Sequence, residues 1–199
     1  MLGERFDDAL TFASQLHRKQ VRKQTGIPYI SHLLAVAALV IEYGRREEEA
    51  IAALLHDAIE DQSDTWPGGA QGLRQEITKR YGESVAAIIE GCTDTDTIPK
   101  PPWRERKERY LEHLVEASPA VLLVACCDKL HNLRSTLADY QTHGEALWKR
   151  FNAGKPEQLW FYRSLAEVFS SPKVPPQLAK DFRESVHSLI DLAGANSSS

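Results

Sequence analysis

Cysteine is scarce in this chain: Cys92, Cys126 and Cys127 are the only three in 199 residues, an odd number with two adjacent and no Cys-x-x-Cys spacing. This argues against a disulfide framework and a thiolate zinc site, and it suits a reducing cytoplasm. Excess charge is lacking too. A formal net charge of −4 gives no general pull toward nucleic acid polymers or acidic membranes, so a charged partner must be recognised locally. No stretch approaches the roughly 20 uninterrupted apolar residues of a membrane span, and Met1 is followed by Leu-Gly-Glu-Arg-Phe-Asp-Asp, not by an apolar signal core. Strand alternation, internal repeats and a Gly-rich phosphate loop are missing as well. These absences imply a cytoplasmic globular chain with enough residues for one domain and a full core, and they leave homo-oligomerisation open.

What is present is helical periodicity. Phe6, Leu10, Phe12, Ala13 and Leu16 mark a first helix over 4–20, and Thr25-Gly26-Ile27-Pro28 reads as a turn. Ile30 to Tyr43 forms an apolar helix stopped by Gly44, and Glu47, Glu48 and Glu49 suit the positive end of the next. A loop covers 62–72, and helices follow over about 73–81 and 83–92 with a break near Gly82. A second loop runs from Thr93 to Pro102, and Arg104 to Glu116 alternates charge on a solvated helix. Ser118-Pro119 is an N-cap and first-turn pair for an apolar helix over 120–139. Two last helices, about 156–170 and 176–193, flank Ser171-Pro172. The expectation is an all-α bundle of about eight to ten helices, one domain over 1–195, with a disordered tail at 196–199.

The chemistry concentrates in Leu54-Leu55-His56-Asp57-Ala58-Ile59-Glu60-Asp61. On a continuous helix His56 stands over Glu60 and Asp57 over Asp61, while Ile51, Leu54, Leu55 and Ile59 pack the helix down. That points to a divalent metal site with spare carboxylates beside it. Further ligands are offered by His32, near the start of the second helix, and by Asp128 in the apolar run Val121 to Leu130. A buried Asp there must be bound to a cation or hydrogen-bonded, or else lie on the helix's wet edge. His32 alone reads as readily as a core or capping histidine. The dense basic run His17 to Lys23 leads into the turn before His32 and reads by itself as a solvated helix end.

His32, His56-Asp57 and Asp128 resemble the ligand set of the HD-domain metal-dependent phosphohydrolases, an all-α superfamily. Three longer strings, Arg22-Lys23-Gln24-Thr25-Gly26-Ile27-Pro28-Tyr29-Ile30-Ser31-His32, Ala53 to Asp61, and Asp128-Lys129-Leu130-His131-Asn132-Leu133-Arg134, are similar to the signature segments of the hydrolase domain of RelA/SpoT-type alarmone enzymes. The resemblance spans roughly 5–140 and implies a stand-alone small alarmone hydrolase, with no room for a synthetase domain. It implies removal of the 3′-pyrophosphate from ppGpp or pppGpp, giving GDP or GTP plus pyrophosphate, with one Mn²⁺ per site. Two His nitrogens and two carboxylates are compatible with that ion without being distinctive of it. It also implies Glu60 and Asp61 as catalytic carboxylates, with their division of labour open, and Arg22, Lys23 and Asn132 as contacts to a small-molecule nucleotide. Arg134 reads equally as a surface salt bridge, and His17 and His131 as structural or supporting groups, not ligands. Trp103, Trp148, Trp160, Phe161 and Tyr162 read as helix packing.

Two departures stand out: Leu33 where the family commonly has Pro, and Gln62 where it commonly has Thr. Neither removes a catalytic group. Three other readings stay open: the same chemistry on adenosine alarmones or the phosphate of NADPH, a generic HD 5′-nucleotidase or phosphodiesterase, and a catalytically silent nucleotide-binding module.

Overall fold

The computed structural model describes residues 2–23, 25–44, 46–95 and 99–195, and among them the chain is all-α. Its helices are α1 (Glu4–Leu16), α2 (Ile30–Tyr43), α3 (Glu47–Leu55), α4 (Ala58–Gln62), α5 (Gly69–Cys92), α6 (Trp103–Glu116), α7 (Pro119–His143), α8 (Lys155–Val168) and α9 (Pro176–Ala195). Short 3₁₀ turns follow α4 at Ser63–Thr65 and α7 at Gly144–Arg150. The tail expected to be disordered at 196–199 lies outside the described residues, as does Gln24 within the first signature string.

Two helices organise the core. α3 is buried along Ala50 to Leu55, and its alanines let α1, α2 and α5 approach closely while α7 closes the remaining side. α7 starts as its sequence dictates, with Pro119 in the first turn and the Ser118 hydroxyl accepting the Val121 N–H at 3.3 Å. Such a cap is worth about 1 kcal/mol. Gly91 of α5 lies against Val121, and a Cβ at Gly91 would stand 2.6 Å from a Val121 methyl, so a larger residue would push α5 off α7. The break expected near Gly82 is a kink inside α5 at φ 84°, a conformation open to glycine. α8 and α9 pack on each other, α8 against α6 and α9 against α7.

Three boundaries differ from expectation. α1 ends at Leu16, not near residue 20, because Gln20 and Arg22 form a hairpin-like loop with 27–29. There the Tyr29 N–H donates to the Gln20 carbonyl and the Arg22 N–H to the Ile27 carbonyl, both at 2.9 Å. The basic run is therefore a structured loop and not a helix end. The expected single helix through His56 to Asp61 is broken: α3 stops at Leu55 and α4 resumes at Ala58, with Asp57 at φ −96°, ψ 1°. The Ala53 carbonyl is engaged by His56 Nδ1 at 2.8 Å, where a continuing helix would present it to the Asp57 N–H. α5 begins at Gly69, inside the loop expected over 62–72.

Candidate metal centre and nucleotide cleft

Four side chains from three segments distant in sequence meet at one point. His32 stands in the first turn of α2, His56 and Asp57 occupy the α3–α4 break, and Asp128 lies midway along α7. His32 Nε2 is 3.1 Å from Asp128 Oδ1 and 3.6 Å from Asp57 Oδ2, while His56 Nε2 is 3.0 Å from Asp57 Oδ2 and 3.6 Å from Asp128 Oδ1. His32, His56 and Asp128 are buried, and Asp57 is partly exposed to the cleft.

The tautomers follow from the partners. His56 Nδ1 faces a carbonyl that can only accept, so Nδ1 carries a proton and Nε2 is the nitrogen left to take a second proton or a metal. That Nε2 is buried with no hydrogen-bond partner of proper geometry, despite its short distance to Asp57. His32 Nδ1 lies 2.7 Å from His131 Nδ1, which also meets Arg22 Nη1 at 3.2 Å. Arginine only donates, so His131 Nδ1 accepts, His32 Nδ1 carries the shared proton, and His32 Nε2 is a lone pair aimed at the same point. Burial, helped by the neighbouring His32, pushes His131 down to about 4, which keeps it neutral and accepting.

Two imidazole nitrogens and two carboxylate oxygens thus converge on one point, an arrangement that favours positive charge there. Donor separations of 3.0–3.6 Å match the roughly 3.0–3.4 Å edges that metal–ligand bonds of about 2.1 Å generate. Burial alone would suppress a charge on His56, but Asp57 and then Asp128 raise its pKa well above the ordinary histidine value. Burial likewise disfavours the Asp57 charge, yet His56 and His32 hold it well below the carboxylate range. The donor set suits a divalent cation, which would replace the proton on His56.

Asp128 is not on a wet edge. It is buried, its Oδ2 is 2.6 Å from Lys129 Nζ, and its Oδ1 accepts from Asn132 Nδ2 at 2.7 Å. Asn132 Oδ1 in turn accepts from Arg22 Nη2 at 3.2 Å, so Arg22 is tied to supports of both His32 and Asp128. The Tyr29 hydroxyl donates to Asp57 Oδ2 at 2.5 Å. Glu60 and Asp61 stand on α4 at the cleft, with Glu60 Oε1 paired to Lys100 Nζ at 2.8 Å and Asp61 Oδ2 accepting from Gln20 Nε2 at 2.8 Å. Crowding by protein, then the Asp57 charge, pushes Asp61 up to about 6, although its position on the solvent-open rim tempers the effect.

A cavity of about 410 Å³ is lined by His32, Asp57 and Asp128, and one of about 640 Å³ adjoins it, with Arg22, Lys23, Lys129 and Asn132 on the shared wall. Eight of the nine residues named from the sequence therefore line one connected cleft, and the ninth, His56, is buried behind Asp57 with its Nε2 3.0 Å from Asp57 Oδ2. Arg134 instead lies half exposed, 3.8 Å from Asp181. His17 is buried and hydrogen-bonded to Gln20, away from the donor cluster. Trp148, Phe161 and Tyr162 are packed in the core as expected, but Phe161, Tyr162 and Trp103 also line the larger cavity. Reading the sequence passed over Tyr29, Lys100, Lys129 and the pair Arg106 and Lys107, whose cations both meet Asp94. Tyr29, three residues before His32, was detectable from helical spacing; the others depend on contacts between segments.

These features define a helical domain with a group of side chains able to hold a metal ion, and comparison with known proteins places it. The HD domain model matches residues 9–155, and the chain belongs to that family. It is 38% identical over 130 residues to a guanosine-3′,5′-bis(diphosphate) 3′-pyrophosphohydrolase of Xenopus tropicalis, a match covering 64% of this chain and 66% of that protein, just under two thirds of its length. An Aquifex aeolicus protein of the same name is 37% identical over 133 residues, covering 67% of this chain and 18% of its own. The fold is similar to that of a metazoan SpoT orthologue described as hydrolysing ppGpp, with a TM-score of 0.74 at 20% identity over 95% of this chain and 97% of that one.

Proposed function

We propose that residues 1–195 form one HD-type phosphohydrolase that removes the 3′-pyrophosphate of guanosine alarmones, converting ppGpp or pppGpp and water to GDP or GTP and pyrophosphate. The observation that carries this reading is the convergence of the four donors beside two further carboxylates, in a cleft walled by cations. His32, His56, Asp57 and Asp128 would hold the divalent ion, for which we propose Mn²⁺; once bound, it supplies Lewis acidity toward a phosphoryl oxygen and toward water. Asp61 is the better-placed proton acceptor of the two carboxylates, because Glu60 is already paired with the Lys100 cation whereas Asp61 accepts from the neutral amide of Gln20. Lys129, Lys23 and Arg22, which line the cleft, would meet the phosphates and nucleoside.

The deciding test is incubation with ppGpp, pppGpp, ppApp, NADPH and simple nucleotides in the presence of Mn²⁺, with products identified. GDP plus pyrophosphate from ppGpp is the expected result. Orthophosphate as the sole phosphorus product, or preference for another substrate of the panel, would replace this reading.

Two smaller effects follow from the site. Arg22→Ala loses a planar cation at the cleft wall, and a stacking contact of roughly 1–2 kcal/mol corresponds to about 5- to 30-fold weaker apparent substrate affinity. Lysine should not rescue it fully, since an ammonium has no planar face; steady-state KM and equilibrium binding check this. His131→Ala removes the acceptor that fixes the His32 tautomer, and metal affinity measured by calorimetry should weaken about 10- to 100-fold while the fold persists.

A further inference from the structure

Gln62, the departure from the family's usual threonine, has a defined place in the structure. Its Nε2 donates to Gln20 Oε1 at 2.5 Å, and His17 Nδ1 donates to the same oxygen at 2.6 Å. Gln20 Nε2 points the other way and donates to Asp61 Oδ2 at 2.8 Å. The backbone of Gln20 is itself fixed, its N–H to the His17 carbonyl and its carbonyl to the Tyr29 N–H. His17 is buried, with its ring stacked on Tyr29 at 5.5 Å.

The direction of this amide is determined by its neighbours. An ionised Asp61 carboxylate can only accept, so Gln20 must present its NH₂ there and its oxygen to Gln62 Nε2 and His17 Nδ1, which lie 3.4 Å from each other; turning Gln20 over would set its oxygen against the carboxylate. Asp61, on an exposed rim at the end of a short helix, would otherwise be free to change rotamer. A threonine lacks the reach of a glutamine amide.

We propose that Gln20, locked by Gln62 and His17, is a positioning residue that holds the Asp61 carboxylate in its orientation toward the cleft, a clasp built on this chain's own Gln62. The inference rests on the assignment of Asp61 as a reacting carboxylate. Gln20 acts through Asp61, so it changes turnover and not the binding of metal or nucleotide.

The test is a set of variants measured with Mn²⁺ and ppGpp. Gln20→Ala should lower kcat about 10- to 100-fold, as misplacement of a reacting group does, with KM and metal affinity unchanged. Gln62→Thr, which removes one neutral hydrogen bond, should cost roughly 2- to 10-fold. The double variant should be no worse than Gln20→Ala alone, and Gln20→Ala introduced into Asp61→Asn should cost little further. Gln20→Glu, which still accepts from Gln62 and His17 but sets a second carboxyl against Asp61 in place of the amide donor, should lower kcat at least as much as the alanine variant and replaces it if that protein fails to fold. In the metal-free protein the side-chain amide NMR signal of Gln20, identified by its loss in the alanine or glutamate variant, should shift in both Gln62→Thr and Asp61→Asn. Parent-like kcat in the Gln20 variants, an equal loss in the Asp61→Asn background, or an unmoved amide signal would overturn the clasp. Parent-like turnover in Asp61→Asn alone would instead remove the assignment of Asp61, while the amide signal would still report whether the clasp exists.

Discussion

Asp57→Ala and His56→Ala should each abolish tight Mn²⁺ binding and lower ppGpp turnover by about three orders of magnitude or more. That loss equals the several kcal/mol that Lewis-acid stabilisation contributes at about 1.36 kcal/mol per tenfold. The two side chains share one contact point, His56 Nε2 lying 3.0 Å from Asp57 Oδ2, so removing either breaks the same donor set. Chelation of the parent protein should produce the same inactive state, and Mn²⁺ should restore it better than Mg²⁺, which favours all-oxygen ligands. Metal affinity should weaken as the pH falls, because a proton competes for the His56 nitrogen that the neighbouring carboxylates make basic. Stability gives a readout independent of turnover. A metal at 100 times its Kd stabilises by about 2.7 kcal/mol, which raises the melting temperature of a chain this long by roughly 5–10 °C. That rise should vanish in both variants, and full turnover by thoroughly demetallated parent protein would refute the metal centre.

That the four residues belong together was legible in the sequence from the His56-Asp57 pair, from the family resemblance and from the cost of a charged side chain in apolar surroundings. Asp128 among Val124, Ala125, Cys126 and Cys127 announces that something must compensate it. What compensates it was not legible. Lys129 and Asn132 flank it on the same helix, but only the packing of α2 and α3 against α7 brings His32 and His56 to its other side. The Tyr29 contact to Asp57 and the Lys100 contact to Glu60 likewise span 28 and 40 residues, and no local pattern encodes them.

The fold shows the same division. α2 and α7 follow from apolar periodicity and, in α7, a cap that competes with nothing else. The break at His56-Asp57 is hidden because the period-3.6 pattern runs through it, from Ile51 past Leu55 to Ile59. Side-chain capture of the Ala53 carbonyl interrupts the helix there. At residues 17–20 the helix-favouring Arg18, Lys19 and Gln20 are overruled by the Gln20 to Tyr29 backbone bond that forms the loop. Both misread places adjoin the cleft, where side chains serve the site at the expense of regular structure.

Asp61→Asn should leave metal binding close to the parent's and lower kcat by about 100- to 10,000-fold, the range of a lost general base. Glu60→Gln should cost less, because Glu60 is held by Lys100 and its charge is directed into that pair. The pH profile supplies a second criterion. Asp61 accepts a proton only when ionised, so kcat should fall as the pH drops through its pKa, which lies near 6 without metal. A bound divalent cation favours the carboxylate and moves that limb below 6. In Asp61→Asn the residual activity should lose the limb, whereas Glu60→Gln should keep it. If Glu60→Gln proved the more damaging and the acid limb disappeared with it, the two carboxylates would exchange roles. If both variants lost metal to the same extent as Asp57→Ala, Glu60 and Asp61 would be ligands, and the water-activating group would have to be sought elsewhere in the cleft.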